Sequence, residues 1–306
     1  MKKTFNFFYI LFLLATTSLS AQMTIIRSVA DSLRDEGNLN GAIIEFQKML
    51  KEQPKDVGTL YNYTCVLSLA NQRDSCFKNL YKYIEMDTTV QPLCDPDFLN
   101  ARQDKRWADF ENKLINQLNI KFQNPYKDIE YAKKLWEMNA LDQAYYDDIK
   151  LVEKKIGMHS SVSKTLWQMK NKINEKNQSD LIELIEKKGW PKSSEVGGRA
   201  ASSAFLIIQH SDSEKQKKYL PIIKSLCEQK EASWSSYALM YDRIQISMNK
   251  PQKYGSQITF NNAKNTWELS PLEDETMVDE WRKEMGLQPL ADYVSRWNIK
   301  FEPKKK

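Results

Sequence analysis

An internal period near the N-terminus restricts this chain to stacked helical hairpins more firmly than any other feature. In residues 23–56, Ala30, Gly37, Ala42, Phe46 and Pro54 fall 7, 5, 4 and 8 positions apart. Residues 57–90 repeat the plan more loosely, with Leu60, Tyr63, Thr64, Leu67, Asn71, Cys76, Leu80 and Tyr83 at matching offsets. Ala30 and Ala42 are small where two helices must cross closely, Phe46 fills the groove beside them, and Pro54 stops the second helix. Nine glycines in 306 residues also point to helices joined by short turns rather than to a many-stranded barrel.

The spacing resembles the tetratricopeptide repeat, a helical hairpin of about thirty-four residues. One regular and one degenerate copy fall short of the roughly three that such arrays need, so a cap is expected. Residues 91–122 supply it, with Phe98, Leu99, Trp107 and Phe110 near helical spacing and Trp107 and Phe110 as an i, i+3 pair. This segment resembles the half-repeat that closes bacterial arrays. A plain connecting helix is the other reading.

Residues 1–22, MKKTFNFFYILFLLATTSLSAQ, read as an export signal. Lys2 and Lys3 precede an apolar run from Phe5 to Ala15, and small residues from Thr16 to Ala21 predict cleavage after Ala21 or Ser20. A retained anchor is the competing reading, but the apolar run is too short for a bilayer. The mature chain is therefore expected outside the cytoplasm, periplasmic or secreted, without a stable membrane span.

The formal charge of +5 sits at the ends: Lys2 and Lys3 leave with the signal, and Lys304 to Lys306 belong to a basic tail over 301–306. Without these five lysines residues 22–303 are neutral, which gives no basic face for nucleic acid. Cys65, Cys76, Cys94 and Cys227 could oxidise in an exported protein. Cys65 and Cys76, however, occupy repeat positions that take small buried residues, so packing is expected. With His159 and His210 as the only histidines and no close cysteine pair, neither a metal centre nor a cofactor is implied.

A helical domain is expected over 123–300. Asn124-Pro125 reads as a helix start, and Ile129, Ala132, Leu135, Trp136, Leu141, Ala144, Tyr145 and Ile149 continue one stripe towards Lys155 and Gly157. A second helix over 163–188 is expected to break in the polar run 174–179. Gly189-Trp190-Pro191 closes it, and Gly197, Ala201 and Ala204 then place small side chains on one face. Ser213 with Gln216 suggests a capping box for a helix over 215–230, and a further helix is expected over 233–249. Residues 254–260 and 266–269 alternate around a turn-like stretch, predicting a β-hairpin near 256–269, with short helices near 275–285 and 290–297. The fold class is mainly α: a short helical-hairpin array, then a helical domain with one small β-hairpin.

This second part resembles DUF6624, a bacterial family catalogued only as a domain of unknown function. The resemblance rests on Gly189-Trp190-Pro191, Val196-Gly197, Gln209-His210, Asp242-Arg243, and Pro251-Gln252 leading to Tyr254-Gly255-Ser256-Gln257. It continues in Gly286-Leu287, Pro289-Leu290 and Tyr293, and reaches upstream to Asp142-Gln143. Resembling chains carry Arg three residues after that pair, where this one has Tyr145 and Tyr146. The resemblance implies no reaction.

His210, Asp212, Asp242, Arg243, Tyr254 and Gln257 are the polar residues expected near one another, with Gln209, Tyr254 and Gln257 as ligand-binding candidates and His210, Asp242 and Arg243 as catalytic ones. A His beside a carboxylate and an Arg can do acid–base chemistry or hold an anion. The same residues can equally be architecture: a His capping a helix, an ion pair, a loop-locking amide. No G-x-S-x-G elbow, H-E-x-x-H or phosphate-binding glycine loop is present. The expected function is therefore non-catalytic binding of a protein or peptide on the repeat surface, with an extracytoplasmic enzyme, a hydrolase, as the alternative.

Overall fold

The computed structural model describes residues 28–261, 264 and 266–302. The expected export signal and the lysines of the basic tail lie outside these residues.

Ser28 starts the first helix through a capping box: its hydroxyl accepts from the Asp31 N–H, and the Asp31 carboxylate accepts from the Ser28 N–H. Helices α1 (Val29–Asp35), α2 (Leu39–Glu52), α3 (Val57–Leu69) and α4 (Arg73–Met86) form two successive hairpins. Ala30, Ala42 and Phe46 are buried between them, and α2 ends at Glu52, just short of Pro54. The short turns need left-handed backbone, supplied by Gly37 (φ 80) and Asn71 (φ 55).

Leu60, Thr64 and Leu67 of α3 are buried, and so is its stripe Tyr61, Cys65, Ser68, because the chain folds back across it. Three 3₁₀ turns, Gln91–Leu93, Pro96–Phe98 and Ala101–Gln103, make this return. The Tyr61 hydroxyl donates to Asp95 Oδ2 at 2.6 Å, the Tyr61 ring meets Phe98 edge-on at 5.9 Å, and Asn100 Nδ2 donates to the Ser68 carbonyl. Helix α5 (Arg106–Phe122) follows, with the Trp107 and Phe110 rings 5.3 Å apart as their i, i+3 spacing implies.

Helix α6 (Ile129–Gln143) starts later than Asn124-Pro125 suggests. Asp128 caps it by accepting from the Tyr131 N–H, while Asn124 adopts φ 57 in the turn leaving α5. The apolar stripe through Ile149 is two helices, because Tyr145 at φ 66 interrupts it before α7 (Tyr146–Ile156). The expected break in the next helix is absent: α8 (Ser161–Lys188) is continuous. Within the polar run Asn174 and Asn177 face inward while Glu175, Lys176 and Ser179 face solvent, and Asn177 Nδ2 donates to the Met138 carbonyl at 2.9 Å.

Next come α9 (Ser193–Val196), α10 (Gly198–Gln209), α11 (Ser213–Glu228) and α12 (Trp234–Ser247). Asp212, rather than Ser213, caps α11, and Gln216 turns its amide back to the Gln209 and Ser211 carbonyls. Ser203 of α10 donates to Asn139 Oδ1 of α6, and Asn139 Nδ2 donates to the Cys94 carbonyl at 3.0 Å, which ties the front hairpins to the rest. The approach to α10 is tightest at Gly197, where φ is 81 and an added Cβ would fall 2.5 Å from Tyr126 Cε1. Gly197→Ala is therefore expected to lose about 2–3 kcal/mol in chemical denaturation. Gly198→Ala, with nothing within 4 Å of its Cβ, should stay within about 0.5 kcal/mol of the parent.

Strands β1 (Ile258–Asn261) and β2 (Thr266–Leu269) form the expected antiparallel hairpin, with Ile258 opposite Leu269; residues 254–257 of the alternating stretch lie outside it, and Asn261 belongs to the strand. Helices α13 (Val278–Glu284) and α14 (Leu290–Val294) close the chain. One large apolar core runs from Ala30 to Ile244, and a small one joins Ile258, Val278, Leu290, Tyr293 and Val294. All four cysteines are buried and free. Among the described residues no helix is long and apolar enough to cross a membrane.

Candidate functional site

Asp242 and His210, paired in the sequence reading, belong to different polar groups. Asp242 is fully buried on α12 and accepts from the N–H groups of Lys253 (2.9 Å), Tyr254 (3.0 and 3.2 Å) and Ser256 (2.9 Å). Burial pushes its carboxyl above the usual range, and the amides pull in the opposite direction. The same loop is held from the far side. Buried Arg282 donates to the Tyr254 and Gln288 carbonyls and stacks on Tyr293, whose hydroxyl donates to the Ser256 carbonyl. Tyr254 enters this arrangement through its main chain. Gln257 Nε2 reaches Ser256 Oγ at 2.9 Å and the Leu239 carbonyl at 3.4 Å.

His210 ends α10 and faces α6, with Nδ1 3.1 Å from Asp142 Oδ1; their side chains are 9% and 3% exposed. Gln143 Nε2 donates to the other Asp142 oxygen at 2.7 Å. Behind them Lys170 of α8, without exposed surface, donates to the Leu141 carbonyl (3.1 Å), the Asp142 carbonyl (2.5 Å) and Asn174 Oδ1 (2.7 Å). Tyr146, one of the two residues standing where resembling chains carry Arg, lays its ring 4.8 Å from this ammonium. Burial brings Lys170 down to about 8. Burial also pushes Asp142 up, but His210 and Lys170 outweigh it and hold the carboxyl below its ordinary range.

The remaining candidates fall around these two groups. Arg243 donates from Nη1 to the Gln209 carbonyl at 2.9 Å, linking α12 to the end of α10, while Gln209 itself is buried. Asp212 points outward, caps α11 and pairs with Lys215. Asp142 and Lys170, the partners that give His210 its setting, are absent from the sequence-based candidates. Asp142 was visible only as part of the family resemblance. A lone lysine in a polar helix carries no local mark of burial.

A third cluster lies under the front hairpins, where ligand atoms of Cys65, Asp95 and Asp97 approach within 4.8 Å of one another. Such a set could hold a cation, but Arg34 Nη2 stands 3.4 Å from Asp97 and the Tyr61 hydroxyl donates to Asp95, so protein groups already answer its charge. Burial and the neighbouring Asp95 raise Asp97 to about 6 against the pull of Arg34, with Cys65, Tyr61 and Asp147 also facing the cluster. Since the folded state keeps this proton to a higher pH than the unfolded one, stability should fall as pH rises from about 4 to about 6, by on the order of 2 kcal/mol. Denaturation midpoints across that window should flatten in Asp97→Asn.

Residues 129–304 match the profile of a family described as "Family of unknown function (DUF6624)", a match that begins at the first residue of α6. No curated protein and no solved structure matches the chain.

Proposed function

Because this chain belongs to the DUF6624 family, which brings no reaction with it, we propose from its geometry that it is an exported, non-catalytic binding protein. The front hairpins, tetratricopeptide-like in spacing, would dock a protein or peptide, and the family domain would act as a rigid support. The observation that carries this reading is the use made of the polar candidates. Asp242 holds loop amides, Arg243 a helix-end carbonyl, and Gln257 a neighbouring hydroxyl and a carbonyl. Groups so occupied build structure rather than turn over substrate.

With the α3 stripe covered, this reading takes the outside of α1 and α2 as the docking surface, supported by Val29 and Ile44 at 67% and 53% exposed. The test is capture by the mature chain from envelope extract, compared with a Val29→Asp/Ile44→Asp variant and with His210→Ala. The expected result is a partner lost with the first variant and kept with the second. Capture indifferent to the apolar pair would refute the assignment. Export is checked by the intact mass of the protein recovered outside the cytoplasm, expected to begin after Ala21 or Ser20.

A second reading, an extracytoplasmic hydrolase around His210, Asp242 and Arg243, has one specific observation in its favour. Asp142 orients the His210 imidazole at 3.1 Å, as a general base requires. Turnover of an envelope compound that disappears in His210→Ala at unchanged Tm would establish it in place of the first.

A further inference from the structure

We propose that a cavity between α10, α11 and the start of α12 binds a small amphipathic carboxylate, an apolar body of amino-acid size with one anionic end. The space is about 270 Å³ and is floored by Trp190 and Phe205, with Ile223 on one wall. The Trp190 ring is itself supported by Tyr219, at a centroid distance of 5.4 Å, so the indole is held in place before anything binds.

Three further observations give the cavity a ligand's outline. Ser236 lines it and is only 8% exposed, yet its hydroxyl enters no hydrogen bond among the described residues; the Ser202 hydroxyl beside it enters none either. Both hydroxyls keep accessible surface on the cavity side, so an oxygen arriving with a ligand can bond them. Gly198 leaves a wall open, since an added Cβ there meets nothing within 4 Å. It also begins the twelve-residue helix α10, whose cap residue Gly197 has no side chain to accept from the first-turn amides.

The rim carries one cation and one carboxylate, and only the carboxylate is engaged by neighbouring groups. Lys230 forms no ion pair among the described residues and is held at φ 62. Its neighbour Glu231 is turned aside, accepting from the Ser194 N–H at 2.9 Å and from the Ser194 hydroxyl at 2.6 Å. An ammonium and uncapped amides thus remain to meet a carboxylate, above an aromatic floor that would take its apolar part. The cavity is separate from the front hairpins, so its failure would leave the docking proposal intact.

The test uses the mature protein with 4-phenylbutyrate and its neutral amide, followed by saturation-transfer NMR and calorimetry. The carboxylate is expected to bind with Kd between about 0.1 and 1 mM, and the amide about fivefold more weakly. Lys230→Ala should remove that difference. Gly198→Leu fills the space without straining φ and should weaken binding at least about tenfold at unchanged Tm. Should that variant unfold, Ser202→Phe plugs the same space from the rim. No binding of either probe at about 5 mM, equal affinity for acid and amide, or binding untouched by the plug would each overturn the proposal.

Discussion

Replacing Asp242 by asparagine is expected to destabilise the C-terminal third almost as much as replacing it by alanine, by about 3–4 kcal/mol. Oδ1 of the native carboxylate accepts from Lys253 and Tyr254, and Oδ2 accepts from Tyr254 and Ser256. Alanine leaves these amides without acceptors in a site that excludes water. Asparagine is nearly isosteric and retains one oxygen, but its NH2 would stand against N–H groups with nothing to accept. The loss should propagate to the small core of Ile258, Val278, Leu290, Tyr293 and Val294, because Arg282 and Tyr293 grip the same loop at the Tyr254 and Ser256 carbonyls. Hydrogen exchange should then accelerate through residues 252–302 while the large core stays protected. An asparagine variant with the parent's midpoint would show that acceptor capacity on both oxygens is dispensable.

Lys170→Met is expected to cost about 3 kcal/mol despite fitting the same volume. The substitution strands the Asp142 carbonyl at the C-terminal end of α6 and Asn174 Oδ1, while the Leu141 carbonyl keeps only the Ala144 N–H at 3.3 Å. It also removes a cation that favours ionised Asp142, leaving His210 as its charge partner. The ammonium is not a free gain, since burial holds it near 8. Between about pH 8 and 10.5 the unfolded chain binds the extra proton, so native stability should rise with pH across that window and the rise should vanish in the variant. Adding Asn174→Leu to Lys170→Met should recover part of the loss by removing one stranded acceptor. Urea titrations of the two single variants and the double variant at pH 7 and 9.5 separate these effects. A single variant as stable as the parent would place the ammonium's contribution near zero.

Periodic packing was legible from sequence because its cause is local. Ala30, Ala42 and Phe46 report close helix crossings through size and spacing alone, and alternation over 254–260 and 266–269 reports a hairpin, although the first strand covers only 258–261. Misreadings occurred where a distant partner decides. Asn174 and Asn177 look like a helix break, yet they are buried because Lys170 and the Met138 carbonyl meet them. Asn124-Pro125 has the chemistry of a helix start, but Asp128 makes the bond to Tyr131. The candidate site suffered most. His210 and Asp142 are 68 positions apart, and nothing near either residue shows that α6 and α10 bring them together.

The single apolar core that runs from Ala30 to Ile244 separates two boundaries often treated as one. The family match begins at Ile129, yet Trp136 just inside it packs on Tyr126 just outside, at a ring distance of 5.1 Å, and Asn139 holds the Cys94 carbonyl. A recombinant fragment starting at Ile129 should therefore expose one side of α6, bind hydrophobic dyes and precipitate, whereas a chain starting at Gln22 should not. The edge of the family match runs through a shared core and is a poor place to sever this polypeptide.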